Sequence, residues 1–243
     1  MMAVPCTHCG LRPRSHFRPF LAGELEFITL MKSAHLTFAA NSRLLEAGEV
    51  GGSLFTLYEG WAIRYRHLAD RSRQILDILL PGDLIGIESH VLGYTAHAVQ
   101  AITPVSLCLL RDHSLGQLFQ GFPEWGASLL RGLVEAQRRD DTWRTILGRL
   151  DAPQRVAYLL LDIFDRLQRR DMVSDERCPF PLHRQHLGDL LGLSRVHVAR
   201  VLSGFASQNL AHIDQDSLVL RDRAKLAALA GYGGIAAGPQ VLL

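Results

Sequence analysis

A chain of 243 residues, 48% hydrophobic and 21% charged, is long enough for two modest domains and apolar enough to pack them, which excludes a disordered chain. The formal net charge is only +2, so bulk electrostatics select no partner and any nucleic-acid reading must rest on local pattern. No apolar run approaches the ~20 residues that cross a bilayer, the first ten residues lack signal-peptide regions, and 4 cysteines are too few for a disulfide scaffold. A cytoplasmic protein without membrane contact is expected.

The opening segment, 1–22, carries Cys6 and Cys9 at Cys-x-x-Cys spacing, which in a reducing compartment points to metal or thiol chemistry. From Leu36 to Leu110 short apolar runs alternate with turns. Leu54, Phe55 and Leu57, then Ile63 and Tyr65, then Ile75 to Leu80 are separated by Glu46-Ala47-Gly48-Glu49, Glu59-Gly60 and Pro81-Gly82-Asp83. Strands at roughly ten-residue spacing predict a β-roll or barrel over 23–122.

After Phe122-Pro123 the period changes. Leu129, Leu133, Ala136, Asp140, Trp143, Leu147 and Leu150 recur at alternating steps of four and three, a coiled-coil seam. Residues 123–150 are therefore expected to form a dimerisation helix, with an ordinary core-facing helix as the alternative. Asp140 is the polar member of that seam, a feature that costs stability but can set register or make association conditional. Asp151-Ala152-Pro153-Gln154 supplies an N-cap acid and an early proline, so a new helix runs toward Arg170 and a final domain, 151–243, begins. Polar residues 171–181 are expected to be a connector, and the glycine- and alanine-rich stretch 231–243 to fray.

His183 to Leu210 reads as two helices. Leu187, Leu190 and Leu191 share one face of the first, Gly192 allows a tight turn, Ser194 caps the second, and Val198, Val201, Leu202 and Phe205 face inward. Arg195, Val196, Ala199 and Arg200 are left pointing out. A helix starting at Ser194 offers its cap and free N–H groups to a phosphate, while an arginine can reach guanine O6 and N7 in the major groove. Between His183 and Gly204 there are three arginines, three histidines and one acid, Asp189, so the local balance is positive. A structural hairpin with a solvated arginine face is the competing reading.

QHLGDLLGLSRVHVARVLSGFASQNL (Gln185 to Leu210) resembles the winged helix-turn-helix of the Crp–Fnr regulator family. LLPGDLIG (Leu79 to Gly86) resembles that family's roll motif, and Leu44 to Glu49 the turn before it, so the likeness covers nearly the whole chain. It lies closer to the Fnr/FixK-type branch than to the cyclic-AMP-binding branch. The resemblance implies an α+β fold: an N-terminal cyclic-nucleotide-binding-like β-roll, a long dimerisation helix and a C-terminal winged helix-turn-helix. It implies a homodimeric, sequence-specific transcription regulator that answers a redox, oxygen or small-molecule signal. The implied partners are palindromic double-stranded DNA and, for an activator, RNA polymerase. Arg195 and Arg200 match DNA-reading positions, with Ser194, Val196, His197 and Ala199 beside them and Arg184 and Gln185 on the preceding helix. Val196 departs from the pattern: many relatives carry glutamate, which accepts from cytosine N4, whereas valine offers only apolar contact. Residues 211–220 would form the wing, touching the DNA backbone.

Relatives that bind cyclic nucleotide use an arginine-serine pair and a glutamate, and the aligned places hold Thr95, Ala96 and Ile87. Without guanidinium or carboxylate a buried phosphate lacks its charged partner, so cyclic AMP is disfavoured; Glu88 and Arg73 lie near in sequence. Oxygen-sensing relatives bind a [4Fe–4S] cluster through N-terminal cysteines and one in the roll. Cys6, Cys9 and Cys108 match three of those four ligands, and the remaining place aligns with Ser15, next to His16. Zinc binding, a Cys6–Cys9 thiol switch, and a tail pair with Cys108 as a buried apolar residue are the alternatives. Those relatives also carry an acid on the seam helix, so the likeness implies that facing Asp140 carboxylates weaken the dimer. From other classes, a small metal-dependent enzyme and a regulator acting through protein contacts stand as rivals. The chain has no His-Glu-x-x-His, Walker lysine or dinucleotide glycine motif, so no enzyme is expected.

Overall fold

The computed structural model of the protein describes residues 5–21, 23–51, 53–110, 114–235, 238, 240 and 242. The chain divides into two units, Met1–Leu133 with Pro239–Leu243, and Val134–Gly238.

In the first unit the turn-broken apolar runs become β1 (Lys32–Phe38), β2 (Arg43–Leu45), β3 (Leu54–Glu59), β4 (Ala62–His67), β5 (Arg73–Leu79), β6 (Leu84–Ile85), β7 (Ala98–Ala101) and β8 (Val105–Leu110). They pair into two sheets, in the orders β1-β8-β3-β6 and β2-β7-β4-β5. Alternate residues point between the sheets, where Leu57, Ala62, Val99, Ala101 and Leu107 share one core, as the period of two requires. At the β3–β4 turn Gly60 has φ 89°, and a Cβ there would lie 2.3 Å from the Pro104 carbonyl oxygen, so both backbone and space demand glycine.

Helices α1 (Glu24–Met31), α2 (Ile87–Leu92) and α3 (Ser114–Gly121) belong to this unit, with the start of α4 (Pro123–Arg149). Ile28, Leu54, Leu115, Leu118 and Trp125 pack together where α1, α3 and α4 meet the roll. Glu24 staples this corner. Its carboxylate accepts from the Arg18 guanidinium at 2.7 and 2.8 Å, from the Leu21 N–H at 2.6 Å and from the Trp125 indole. Burial alone would raise the pKa of this carboxyl, but the bonds from Arg18, Leu21 and Trp125 outweigh it and hold the group below the ordinary glutamate range.

The second unit holds the rest of α4, then α5 (Ala152–Gln168), β9 (Arg177–Pro179), α6 (Arg184–Leu191), α7 (Arg195–Ser207), β10 (Ala211–Asp214), β11 (Ser217–Leu220) and α8 (Arg223–Ala230). Asp151 caps α5 reciprocally: its side chain accepts from the Gln154 N–H at 2.9 Å, and the Gln154 side chain accepts from the Asp151 N–H at 3.0 Å. Val156, Leu160, Ile163 and Leu167 form the buried stripe of α5. On its polar side Arg155 donates through Nε to the Leu150 carbonyl at 2.8 Å and through Nη1 to the Leu191 carbonyl at 3.2 Å. Asp165 bonds Arg223 at 2.7 Å and accepts from the Tyr232 hydroxyl at 3.0 Å.

Two features depart from the sequence expectations, at 171–181 and 231–243, and helix α8 adds an element for which no expectation was drawn. The stretch 171–181 is not only a connector: β9 pairs with β11, Cys178 opposite Leu218, and makes the wing a three-stranded sheet. Helix α8 follows the wing, its Leu226 buried. In the stretch expected to fray, Gln240 instead pairs with the N-terminal segment, donating to the His16 carbonyl at 2.8 Å and accepting from the Arg18 N–H at 2.8 Å, and Leu242 is buried. Residues 236, 237, 239, 241 and 243 of that stretch lie outside the described residues. Along α4, Leu130, Leu133 and Val134 are exposed at 63%, 47% and 48%, whereas the seam residue Trp143 meets Tyr158 edge-on at 5.4 Å. Among the described residues, no helix is long and apolar enough to cross a membrane.

Candidate nucleic-acid interface and cysteine pocket

The α6–α7 corner is shaped by two glycines. Gly192 ends α6 in the left-handed region, φ 66°. Gly188 lets the Leu193 backbone approach so closely that a Cβ would stand 2.5 Å from its carbonyl oxygen. Ser194 then caps α7, its hydroxyl accepting from the His197 N–H at 3.1 Å. Burial of Val198, Val201 and Phe205 fixes the rotation of α7. Arg195, Val196, His197 and Arg200 are exposed as a result, Val196 at 65%, with Ala199 and Leu202 half-buried. Arg184 and Gln185 are exposed at the start of α6, and the Gln185 amide donates to Asp189 at 2.6 Å. The β10–β11 hairpin ends in exposed Asp214, Gln215 and Asp216, a tip whose carboxylates repel phosphate.

Cys6 and Cys9 bracket a single 3-10 turn, Cys6–His8, and Cys108 lies on β8. All three line one partly open pocket of about 30 Å³ in the first unit, with Leu11, Lys32 and Leu242. Lys32 is a site residue that sequence reasoning missed. Burial disfavours its charge, but a hydrogen bond with Cys108 and the proximity of Cys6 and Cys9 hold its ammonium above the ordinary lysine range. Burial pushes the Cys108 thiol up against the pull of Lys32. Ser15 and His16 do not line the pocket, and His16 is buried with its ring edge-on to Phe17 at 4.8 Å.

At the places aligned with the cyclic-nucleotide contacts, buried Thr95 donates to the His97 carbonyl at 3.1 Å, and the Ala96 N–H reaches Glu88 at 3.5 Å. Glu88 pairs with His97 at 2.7 Å, and Ile87 opens α2. Arg73 lies over the Tyr65 ring at 5.4 Å and donates to Gln100 at 3.1 Å.

Residues 154–229 match the Crp-like helix-turn-helix domain and residues 35–122 the cyclic nucleotide-binding domain, the two modules in the order the structure displays. The chain belongs to the Crp–Fnr family of transcription regulators. It is similar to the nitrogen fixation regulation protein FixK of Bradyrhizobium diazoefficiens, 29% identical over 232 residues and 93% of each chain. It is also similar to the transcriptional activator protein Anr of Pseudomonas aeruginosa, 26% identical over 227 residues, 93% of this chain and 92% of the relative. The solved structure of FixK2 from Bradyrhizobium japonicum aligns with a TM-score of 0.73 at 27% identity, covering 84% of this chain and 98% of that one. This Crp–Fnr regulator thus joins a helix-turn-helix DNA-binding domain to a sensory roll, and its relatives are regulators rather than enzymes.

The cysteine pocket of this family member does not fit the four-iron cluster that the resemblance implies. Three thiols line the wall, a lysine ammonium bonds to one of them, and among the described residues neither Ser15 nor His16 lines the pocket with them as a fourth ligand. Among the described residues, no group of three histidine, cysteine, aspartate or glutamate side chains is placed to hold a metal ion.

Proposed function

We propose that this regulator binds palindromic double-stranded DNA as a homodimer and sets two copies of α7 into successive major grooves. The carrying observation is the exposed Arg195–Val196–Arg200 face directly behind the Ser194 cap, its opposite side anchored by buried Val198, Val201 and Phe205. Arg200 reads a guanine, Val196 makes apolar contact with a thymine methyl, and Arg195, His197, Ser194 and Ala199 complete the surface. Arg184 and Gln185 contact phosphate and fix register. The acidic hairpin tip leaves the sides of the wing, not its end, to face the backbone. Dimerisation runs along 123–150, where exposed Leu130, Leu133 and Val134 call for a partner. RNA polymerase is the further partner if the protein activates.

The signal enters at the cysteine pocket. Among the described residues the pocket wall carries no fourth ligand for an iron–sulfur cluster, so we assign redox sensing to the thiols themselves.

Selection from randomised duplexes under reducing conditions, followed by anisotropy titrations at several salt concentrations, tests the DNA reading. An inverted repeat with half-site centres about one helical turn apart is expected, with log affinity falling linearly with log salt. Enrichment of no sequence at any salt, or binding as a monomer to single half-sites, overturns it.

A further inference from the structure

Cys6 and Cys9 line the same pocket but differ in their nearest apolar neighbours. Cys6 is buried with Ile28, Leu54, Leu110 and Trp125 on the roll side. Half-buried Cys9 packs instead on the Leu11, Phe17 and Leu242 cluster, which seats the C-terminal tail. Between them the backbone closes a turn, the Cys9 N–H donating to the Cys6 carbonyl at 3.4 Å. Closure of this kind keeps the two Cα atoms within ~7 Å, at the separation a disulfide spans. Lys32 stands beside both sulfurs and Cys108.

We propose that Cys6 and Cys9 form a reversible dithiol–disulfide switch for a peroxide-class oxidant, and that closing the bond loosens the C-terminal tail seated on Cys9. The proposal deepens the thiol reading of the pocket given above and rests on it, but it is independent of how α7 reads DNA. Cys9 is the sulfur an oxidant reaches first, because Cys6 is only 7% exposed. The Cys9 thiolate attacks one peroxide oxygen; an S–O bond forms, the O–O bond breaks, and the departing hydroxide (alkoxide from an organic peroxide) takes a proton from solvent. Cys9 is left as a sulfenic acid. The Cys6 thiol then attacks that sulfur, forming the S–S bond and releasing water. The dithiol gives up two electrons and the peroxide takes them.

Both cysteines are free thiols, so an S–S bond of ~2.05 Å requires one side chain to turn toward the other. Cys6 is held by the larger one under α1 and α4, so Cys9 is the residue that moves. Its departure strips contact from Leu242, next to the backbone hydrogen bonds that Gln240 makes with His16 and Arg18.

The full-length reduced protein is titrated with hydrogen peroxide, alkylated after denaturation and mapped by mass spectrometry, with amide exchange followed in parallel. Cys6 and Cys9 are expected to lose alkylation together and regain it with dithiothreitol. Cys178, buried in β9 with its thiol pushed up to about 12, stays reduced. Exchange at the Arg18 and Gln240 amides should rise severalfold on oxidation. Cys6→Ala keeps an apolar group in the roll-side cluster and should halt at a dimedone-reactive Cys9 with exchange unchanged, whereas Cys108→Ser should preserve both effects. A bond joining Cys108, oxidation no faster than in the urea-unfolded chain, or a Cys6–Cys9 bond that leaves exchange unaltered would each overturn the switch. Duplex binding by the same reduced samples shows separately whether the DNA reading stands.

Discussion

Arg200 and Arg184 are both exposed arginines of the second unit, but one lies a turn inside α7 and the other opens α6. Replacing Arg200 by alanine should flatten the preference between matched and mismatched duplexes, a loss of about 1–3 kcal/mol of discrimination. Arg184→Ala should weaken all duplexes alike and reduce the salt slope by about one. Anisotropy titrations over a panel of duplexes check both, and equal loss of discrimination in the two variants would refute the division of roles. Val196→Glu restores a carboxylate acceptor and should shift one half-site position toward cytosine, readable by the same selection. These positions were legible in the sequence because cap, turn glycine and apolar period are all local, and together they fix which face of α7 is free. Lys32 was not legible. Its sulfur neighbours come from residues 6, 9 and 108, which only tertiary packing brings together.

At the scale of elements, the corner of α1, α3 and α4 depends on a carboxylate. The pKa of Glu24 is lowered in the folded chain, so its stabilisation is fully present above the ordinary glutamate range and lost as pH falls through the lowered value. Trp125 emission should therefore hold through mild acid and change only below that range. Glu24→Gln should cost on the order of 3 kcal/mol by leaving Arg18 partly buried without its counter-ion, and should abolish the acid step; urea melts at several pH values measure both. This staple escaped sequence reading because Arg18, Glu24 and Trp125 share no periodic pattern. The same holds for β9, a three-residue strand whose Arg-Cys-Pro shows neither alternation nor β-branching and which exists only by pairing with β11. The roll strands were legible because glycine turns punctuate them, and α5 because its capping box is written in four consecutive residues.

For the whole molecule, the heptad steps forecast a long helix after Phe122, and α4 spans 27 residues. They could not apportion its faces: Trp143 meets Tyr158 of its own chain, while Leu130, outside the heptad register, is exposed. If paired α4 helices bring two Asp140 carboxylates together, Asp140→Ala should lower the dimer dissociation constant and make DNA binding less dependent on signal; sedimentation velocity at several concentrations reads this directly, and unchanged association would count against it.

Arg155 grips the carbonyl that follows α4 with one nitrogen and the carbonyl that ends α6 with another. A guanidinium is a flat, stiff plate, so these two oxygens share a single lever, and torque applied to the last turn of α4 is delivered to the corner that aims α7. Lysine there keeps the charge but replaces the plate with a swivelling point. Such a variant should retain its fold while amide exchange at the α6–α7 corner rises, a loss of gearing rather than of strength.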